Sequence, residues 1–408
     1  MKYGLIGEKL GHSLSPEIYR SVGLDYELME LKREELADFM RSGALTAFNV
    51  TIPYKQSVMK FLDFIDEEAG KINAVNTVVR KGGKRYGYNT DIFGMRLALS
   101  KSGIELKGKN VMILGTGGTS NTAYYMAKTA NAASVVKVSR TGEVNYNNCY
   151  SLTDTDVIIN TTPIGMYPFI NAAPIDIAGF KKLSGVFDAV YNPLNTDLVT
   201  AARDTGIKAS GGLYMLVGQA VKSISIFNDT DIDYDLINKI YNNLTKKFSN
   251  IVLIGMPSCG KSAIGKKTAE ILNRDFIDTD ELFEKTYGKT PEQIIVSMGE
   301  NVFRQMETEV IKNIVKGNSV ISTGGGIVTK KENISLLKRN GVIIYIERAL
   351  NLLETIGRPL SAKSGVKTLF DTRRPLYEGC CDIKIKNDKT IDIAVKEVIE
   401  GYEKNFGD

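Results

Sequence analysis

Residues 255–262 read GMPSCGKS and follow the apolar run IVLI at 251–254. The octapeptide fits G-x-x-x-x-G-K-[ST] without a mismatch, and the run before it is apolar enough for a buried strand. SAIGKKTAEIL at 262–272 has the composition of the helix that should follow. In such a loop the backbone amides wrap phosphates, the lysine (Lys261) reaches the β and γ oxygens, and the hydroxyl (Ser262) ligates magnesium. Gly255, Ser258, Cys259, Gly260 and Ala263 complete the expected nucleotide surface, so ATP and Mg2+ are the expected ligands. A loop of this kind normally opens its domain, yet about 250 residues precede it. A second protein is therefore expected in front of the first.

That front part has a glycine turn of its own, GTGGTS at 115–120, directly after the apolar run VMIL at 111–114. Between a strand and a helix, Gly115, Gly117 and Gly118, with Thr119, would let backbone amides approach a pyrophosphate. The next apolar run, VVKV at 135–138, ends in Ser139, Arg140 and Thr141, and Arg140 lies 22 residues past Gly118. An NAD site usually carries an acid there, for the ribose hydroxyls. A guanidinium and a hydroxyl suit a 2′-phosphate instead, which favours NADP(H), while Glu143 close by keeps NAD open.

The bulk numbers agree with a soluble globular protein of two or three domains: 408 residues, 24% charged and 43% apolar. No apolar run reaches the roughly 18 residues needed to span a bilayer, and MKYGLIGEKLGHS has no signal-peptide core, so a cytoplasmic protein is expected. Four cysteines (Cys149, Cys259, Cys380, Cys381) without a C-x-x-C pair, and a single histidine, argue against zinc or a disulfide framework. A net charge of +5 from scattered basic residues suits anionic small molecules rather than nucleic acid.

Further strands are expected at 3–7, 46–50, 75–79, 157–161, 185–190, 319–322 and 342–346, with an amphipathic helix at 213–227. From residue 110 onward, strands alternate with helices, the rhythm of an α/β parallel sheet. The stretch 228–250 is polar with a weak helical period, and the boundary is placed near 247.

GEKLGHSLSPEIY (7–19), FNVTIPYK (48–55), AVNTV (74–78), YNTDIFG (88–94), GTGGTS, SRT (139–141), NTTPIGM (160–166), DAVYNPLNTDL (188–198) and GLYMLVGQA (212–220) follow in order. In this sequence they resemble shikimate dehydrogenase. The resemblance implies a substrate domain (1–103 and 213–247) around a Rossmann NADP domain (104–212). It puts Ser13 and Ser15 on the substrate carboxylate. Thr51, Lys55, Asn76, Asp91, Tyr191 and Gln219 would surround the ring, and Met215 would join the cofactor surface. The chemistry agrees, since hydride transfer to a ketone leaves charge on oxygen that Lys55 can meet with a proton or as a cation, with Asp91 holding it. His12, the lone histidine, is read as shaping the loop. Asn121 stands where relatives often carry a basic residue, and Ser139 where many have asparagine.

Behind the phosphate loop come FIDTDELF (276–283), GENVFRQMET (299–308), STGGGIV (322–328), GRPLS (357–361) and RRPLYEGCCDIKI (373–385). These resemble shikimate kinase, a P-loop domain spanning 248–408. The resemblance implies that Asp278 positions magnesium and that Asp280 contacts the acceptor hydroxyl. Arg304 and Arg373 would clamp the carboxylate, Gly325 and Gly326 would let the backbone approach the ring, and Arg358 would meet the transferring phosphoryl group from a lid. Glu307, at i+3 from Arg304, can steady it. ALNLLETIG (349–357) is short and lacks the arginine that commonly covers adenine. The loop KNDKT (386–390) is the candidate adenine contact. Cys259 suggests a reactive thiol at a helix N-terminus or, more plainly, a small packed residue. Cys380 and Cys381 are read as packing.

Together the halves imply consecutive steps: 3-dehydroshikimate reduced to shikimate by NADPH, then shikimate phosphorylated by Mg-ATP. The substrates are small acids, with no nucleic acid or membrane partner, and a monomer or homodimer is expected. The alternatives are a quinate or NAD preference in front, or a non-catalytic nucleotide-binding module in either half.

Overall fold

The computed structural model describes residues 2–11, 13–314, 317–353 and 365–406. The uncharged run Tyr3–Gly7 (β1) is buried along its whole length, as suits a strand with neighbours on both sides. It pairs in parallel with Tyr26–Glu30 (β2) and Ala47–Val50 (β3). With Phe64–Ile65 (β4), Thr77–Lys81 (β5) and Lys84–Tyr88 (β6) it forms a mixed sheet, order β2-β1-β3-β5-β6-β4. The side chains of β3 divide by strand periodicity: Phe48 and Val50 enter an apolar cluster with Ile6, Phe39 and Val78. Asn49 faces the other way, into hydrogen bonds with Tyr19, Tyr26 and Ser223.

Five parallel strands follow: Asn110–Leu114 (β7), Ser134–Val138 (β8), Val157–Asn160 (β9), Gly185–Asp188 (β10) and Lys208–Ser210 (β11). Their order, β11-β10-β9-β7-β8, puts β7 where the chain reverses direction across the sheet, the place where α/β sheets bind ligands. The helix Leu213–Asn228 then returns to the first sheet's partners and crosses the helix Asp91–Lys101.

Asn250–Ile254 (β12), Asp275–Asp278 (β13), Ser319–Ser322 (β14), Gly341–Glu347 (β15) and Ile383–Lys386 (β16) make a third sheet, again all parallel, in the order β13-β14-β12-β15-β16. Its two faces can be read from β12. Ile251 and Leu253 pack with Ile264, Val395 and Tyr402 on one side. Val252 and Ile254 pack with Ile311, Leu337 and Tyr377 on the other. A strand buried on both faces has to be apolar at every position, which is why IVLI stands out in the sequence.

The chain divides into two compact units, Met1–Tyr241 and Asn242–Asp408, the division falling within the helix Tyr234–Phe248. That helix bears out the helical period read from the polar stretch: Ile237, Ile240 and Leu244 are all buried along one face. Two expected strands shift. The run 75–79 becomes β5 at Thr77–Lys81, because Asn76 turns its amide into the polar cluster described below. The run 185–190 ends at Asp188, where Ala189 donates to the Asn160 carbonyl and the chain leaves the sheet. Among the described residues no helix is long and apolar enough to cross a membrane.

The crossing of Asp91–Lys101 over Leu213–Asn228 is close because both helices present glycine there. A Cβ on Gly94 would collide with the Met215 carbonyl and lie 2.9 Å from the Gln219 nitrogen, and one on Gly218 would lie 3.3 Å from the Gly94 Cα. Gly94→Ala is therefore expected to cost about 1–3 kcal/mol by overpacking. It should also lower turnover at the front site, because Asp91 and Gln219 sit on these two helices. Chemical denaturation followed in the front unit, with both activities assayed, checks this; an unchanged midpoint would refute the close crossing.

Candidate active sites

In the front unit Asp91 opens the helix Asp91–Lys101, and Lys55 lies in the turn that leaves β3. The Lys55 ammonium is 2.5 Å from Asp91 Oδ2, with the two side chains 12% and 8% exposed. Asn76 Nδ2 donates to the other Asp91 oxygen at 2.8 Å, and Gln219 Oε1 lies 3.4 Å from Asn76 Nδ2. The carboxylate is thus held on both oxygens, which fixes where the ammonium points. Thr51 is half-buried, four residues before Lys55.

Ser15 is buried at the start of the helix Ser15–Arg20 and donates its backbone N–H to Ser13 Oγ at 3.2 Å. Burial pushes the Tyr191 phenol up from its ordinary pKa, opposed by a hydrogen bond with the Leu14 backbone, so Tyr191 lies against this same loop. The contacts therefore join Ser13, Ser15 and Tyr191 in one group, and Lys55, Asn76, Asp91 and Gln219 in another. His12 lies outside the described residues.

The glycine turn follows β7, and its helix runs Gly118–Thr129. A Cβ on Gly118 would stand 3.2 Å from Lys55 Cδ, so the turn abuts the lysine. A Cβ on Gly115 would stand 2.8 Å from Thr161 Oγ1, and Ser120 Oγ donates to the Gly115 carbonyl at 2.7 Å. Such a bare, braced turn at a helix N-terminus fits a pyrophosphate. Gly117 caps the helix and Thr119 is half-buried in its first turn. After β8, Ser139 donates to the Val144 carbonyl, leaving Arg140, Thr141 and Glu143 exposed on a small loop. Met215 is buried, with its carbonyl at the helix crossing. The sequence reading passed over Lys137: its ammonium donates to Asn121 Oδ1 at 2.8 Å, bringing a cation to the position where a basic residue was missed. Burial lowers its pKa. The signal was a lone lysine inside an otherwise apolar strand.

In the rear unit the phosphate loop runs from β12 to the helix Lys261–Leu272. Gly260 has φ +97, and a Cβ there would stand 2.6 Å from Asn387 Nδ2, so only glycine fits. Lys261 is buried, and its ammonium donates to the carbonyls of Gly255 and Met256 at 3.0 and 2.9 Å. Cys259 is wholly buried beside Ile264 in the core, which favours packing over a reactive thiol. Asn387, from the KNDKT loop, donates to its carbonyl at 2.8 Å. A cleft of about 310 Å³ is lined by Ser258, Lys261, Ser262, Ala263, Asp278 and Asp280, among others.

Asp278 serves two ends at once. It caps the helix Thr279–Tyr287 by accepting from the Asp280 backbone at 3.0 Å, and its other oxygen accepts from Ser262 Oγ at 2.7 Å. A hydroxyl and a carboxylate this close at the mouth of a phosphate loop are hard oxygen donors that fit magnesium. Glycines 324–326 pass beneath. A Cβ on Gly324 would touch Asp280 Oδ1 at 2.9 Å and Glu307 Oε1 at 3.2 Å, and one on Gly326 would collide with the Arg304 guanidinium. Arg304 donates to Glu307 at 2.8 Å and Glu300 at 3.1 Å, yet its Nε and Glu307 Oε1 are buried without partners. Burial pushes the Glu307 carboxyl up, and Arg304 opposes this. Arg373 is buried and donates to the Gly325 carbonyl at 3.2 Å, as the Tyr377 hydroxyl also does. Burial raises the Cys380 thiol to about 11, which suits packing. Arg358 lies outside the described residues.

A nicotinamide-nucleotide oxidoreductase in front and a P-loop small-molecule kinase behind are the classes these folds and sites define. A family model described as shikimate dehydrogenase substrate binding domain matches residues 5–78, and one described as shikimate kinase matches residues 257–403. A shikimate dehydrogenase (NADP(+)) of Clostridium perfringens is 38% identical over 268 residues, covering 60% of this chain and 99% of the relative. Shikimate dehydrogenase 1 from Peptoclostridium difficile superposes with a TM-score of 0.57 at 35% identity, over 60% of this chain and 98% of that one. An enzyme from Thermus thermophilus, solved with NADP(H) and shikimate, gives 0.54 at 26% identity, over 60% and 99%. The chain belongs to the shikimate dehydrogenase family over this front part and carries a shikimate kinase domain behind it, a bifunctional enzyme of the shikimate pathway that uses NADP and Mg-ATP.

At the end of β10, Asp188 is fully buried and accepts from Thr196 Oγ1, Asn160 Nδ2 and the Val190 N–H. Burial nevertheless raises its pKa to about 6. A folded-state pKa above the unfolded one means a stabilising contribution that is full at low pH and lost as pH rises through 6. Relative to Asp188→Asn, the wild type should lose about 3 kcal/mol of front-unit stability between pH of about 4 and about 7. Denaturation curves across that range test it; a constant difference would refute it.

Proposed function

We propose that the front unit reduces 3-dehydroshikimate to shikimate with NADPH, and that the rear unit phosphorylates the 3-hydroxyl of that product. The observation that carries the first reading is the nucleotide turn at Gly118 pressed against Lys55, itself paired with Asp91. The bound shikimate and NADP(H) of the Thermus thermophilus relative support the same pairing of ligands. NADPH supplies the hydride. Lys55 meets the charge developing on the carbonyl oxygen, Asp91 keeps the ammonium in place and accepts from the neighbouring hydroxyl, and Asn76 and Gln219 orient the ring. Ser13 and Ser15 take the carboxylate, with Thr51 and Tyr191 closing the remaining sides. Gly115, Gly117, Gly118 and Thr119 hold the pyrophosphate, while Ser139, Arg140 and Thr141 face the 2′-phosphate and Met215 the nicotinamide end.

In the rear unit Gly255, Ser258, Cys259, Gly260, Lys261 and Ala263 hold the triphosphate. Ser262 and Asp278 hold magnesium, which offsets charge on the phosphoryl oxygens. Asp280 accepts the proton of the acceptor hydroxyl. Arg304 and Arg373 clamp the carboxylate in the planar, bidentate manner of guanidinium, over the bare backbone of Gly325 and Gly326.

Lys55→Ala should lower kcat of the reduction by about 100-fold or more and spare the kinase, and Asp280→Asn should do the converse. Steady-state assays of both reactions on each variant decide; equal damage to both activities would contradict separate sites. Gly326→Ala displaces Arg304, so KM for shikimate in the kinase assay should rise by about 10-fold with less effect on KM for ATP. A rise confined to the ATP constant would move Arg304 away from the acid.

A further inference from the structure

Arg348 follows the last residue of β15, outside every motif read from the sequence. Its side chain lines the kinase cleft with Ser258, Gly260, Lys261 and Ser262. Nη1 donates to the Ser258 carbonyl at 3.2 Å, and Ser258 is itself held at φ +64, a left-handed conformation uncommon for serine. Nε is buried with no acceptor. The neighbouring carboxylate, Glu347, is taken by Lys384 at 2.9 Å and Arg374 at 3.6 Å, and among the described residues no ion pair engages Arg348.

The main chain that delivers this guanidinium is pinned. The Ala349 N–H donates to Asp388 Oδ1 at 3.0 Å, and the adjoining Asn387 ties the same loop to the Cys259 carbonyl at 2.8 Å. A guanidinium has five donors and stays charged at every accessible pH, so leaving it half-buried with one carbonyl is costly unless an anion completes it. The space it borders is walled by the amides of a phosphate loop and by Lys261, where the fitting anion is a phosphate chain.

We propose that Arg348 binds phosphate oxygens of the nucleotide in this cleft, and so is a nucleotide-binding residue of the kinase. The inference rests on the kinase reading of this site. Arg348 keeps one donor on the Ser258 carbonyl and offers its remaining donors to the nucleotide. Because these contacts form with the bound nucleotide before transfer, their loss should fall on binding more than on the chemical step.

The test compares the full-length wild type with Arg348→Met and Arg348→Lys. It measures Kd for Mg-ADP, KM for ATP and kcat of the kinase, and the thermal unfolding of the nucleotide-free protein. Arg348→Met is expected to weaken Mg-ADP binding and raise KM for ATP by about 10-fold or more, with kcat affected less. Adenosine binding should be unmoved, Arg348→Lys should recover part of the loss, and unfolding without nucleotide should stay as in the wild type. Unchanged Mg-ADP affinity in Arg348→Met would overturn the proposal. So would a matching fall in nucleotide-free unfolding temperature, which would make Arg348 a brace for the loop. A wild type that binds no Mg-ADP would instead overturn the kinase reading itself.

Discussion

A parallel strand that stops at the mouth of a cleft and hands its chain to a helix through glycine is the constraint on which both units are built. The strand has to be central, and hence buried on both faces, for its end to lie where neighbouring strands diverge. β7 and β12 both meet this condition, lying between β8 and β9 and between β14 and β15. The turn has to be free of side chains for main-chain N–H groups to reach phosphate, and it has to be braced so that they are already aimed. Ser120 braces the front turn through the Gly115 carbonyl, and Asn387 braces the rear one through that of Cys259. Everything else that each site needs is placed relative to these two turns.

The front site shows how a lysine–carboxylate pair is kept in register. Behind Asp91 and Asn76 lies a buried polar network. Asn49 donates to Thr77 and Ser223, Ser223 meets Thr77 at 2.9 Å and Thr90 at 3.0 Å, and the Thr90 N–H donates to Asn76 Oδ1 at 2.7 Å. Tyr19 and Tyr26 close the far end on Asn49 Oδ1. Burial pushes both phenols above their ordinary pKa, more than their hydrogen bonds to Asn49 lower it, so they stay neutral donors. A satisfied network of this kind gives a single arrangement where an apolar core would allow several. It spans β3, β5 and the helix Leu213–Asn228, so it locks the site to elements far apart in sequence.

Much of this was legible because it obeys local rules. IVLI and VMIL are apolar at every position since central parallel strands have no wet face, and the glycine turns after them are set by backbone geometry. The helix Leu213–Asn228 matched its expected span to within a residue. What escaped were features that depend on a distant partner. β2 is exposed at most positions, so its YELME sequence carries little alternation. Gly94 looks like any helical glycine until Met215 is seen against it. Lys137 and Arg348 are single cations with no motif, given meaning by Asn121 and Ser258, residues that approach them only after folding. The polar helix Tyr234–Phe248 was underrated because three buried apolar residues among many charges give a faint period.

The hydrogen bonds left unmade point the same way as those that are formed. Native proteins satisfy nearly all buried polar atoms, so an orphan needs a cause. Among the described residues the orphans include two guanidinium nitrogens, Arg304 Nε and Arg348 Nε, together with Glu307 Oε1. Arg348 borders the cleft at the phosphate loop, and Arg304 lies on Gly326, one residue from the Gly325 that lines it. The hydroxyls of Thr200, Thr268, Ser319 and Tyr345 are orphaned too, but the charged groups are the most costly to leave desolvated. On the proposed reading of the kinase site, ligands would carry the missing acceptors of the two arginines: a carboxylate at Arg304, on the side of Asp280 and Glu307, and a phosphate chain at Arg348, on the side of Ser258. On the proposed reading, cations held in place before either substrate arrives would supply the preorganisation that phosphoryl transfer requires.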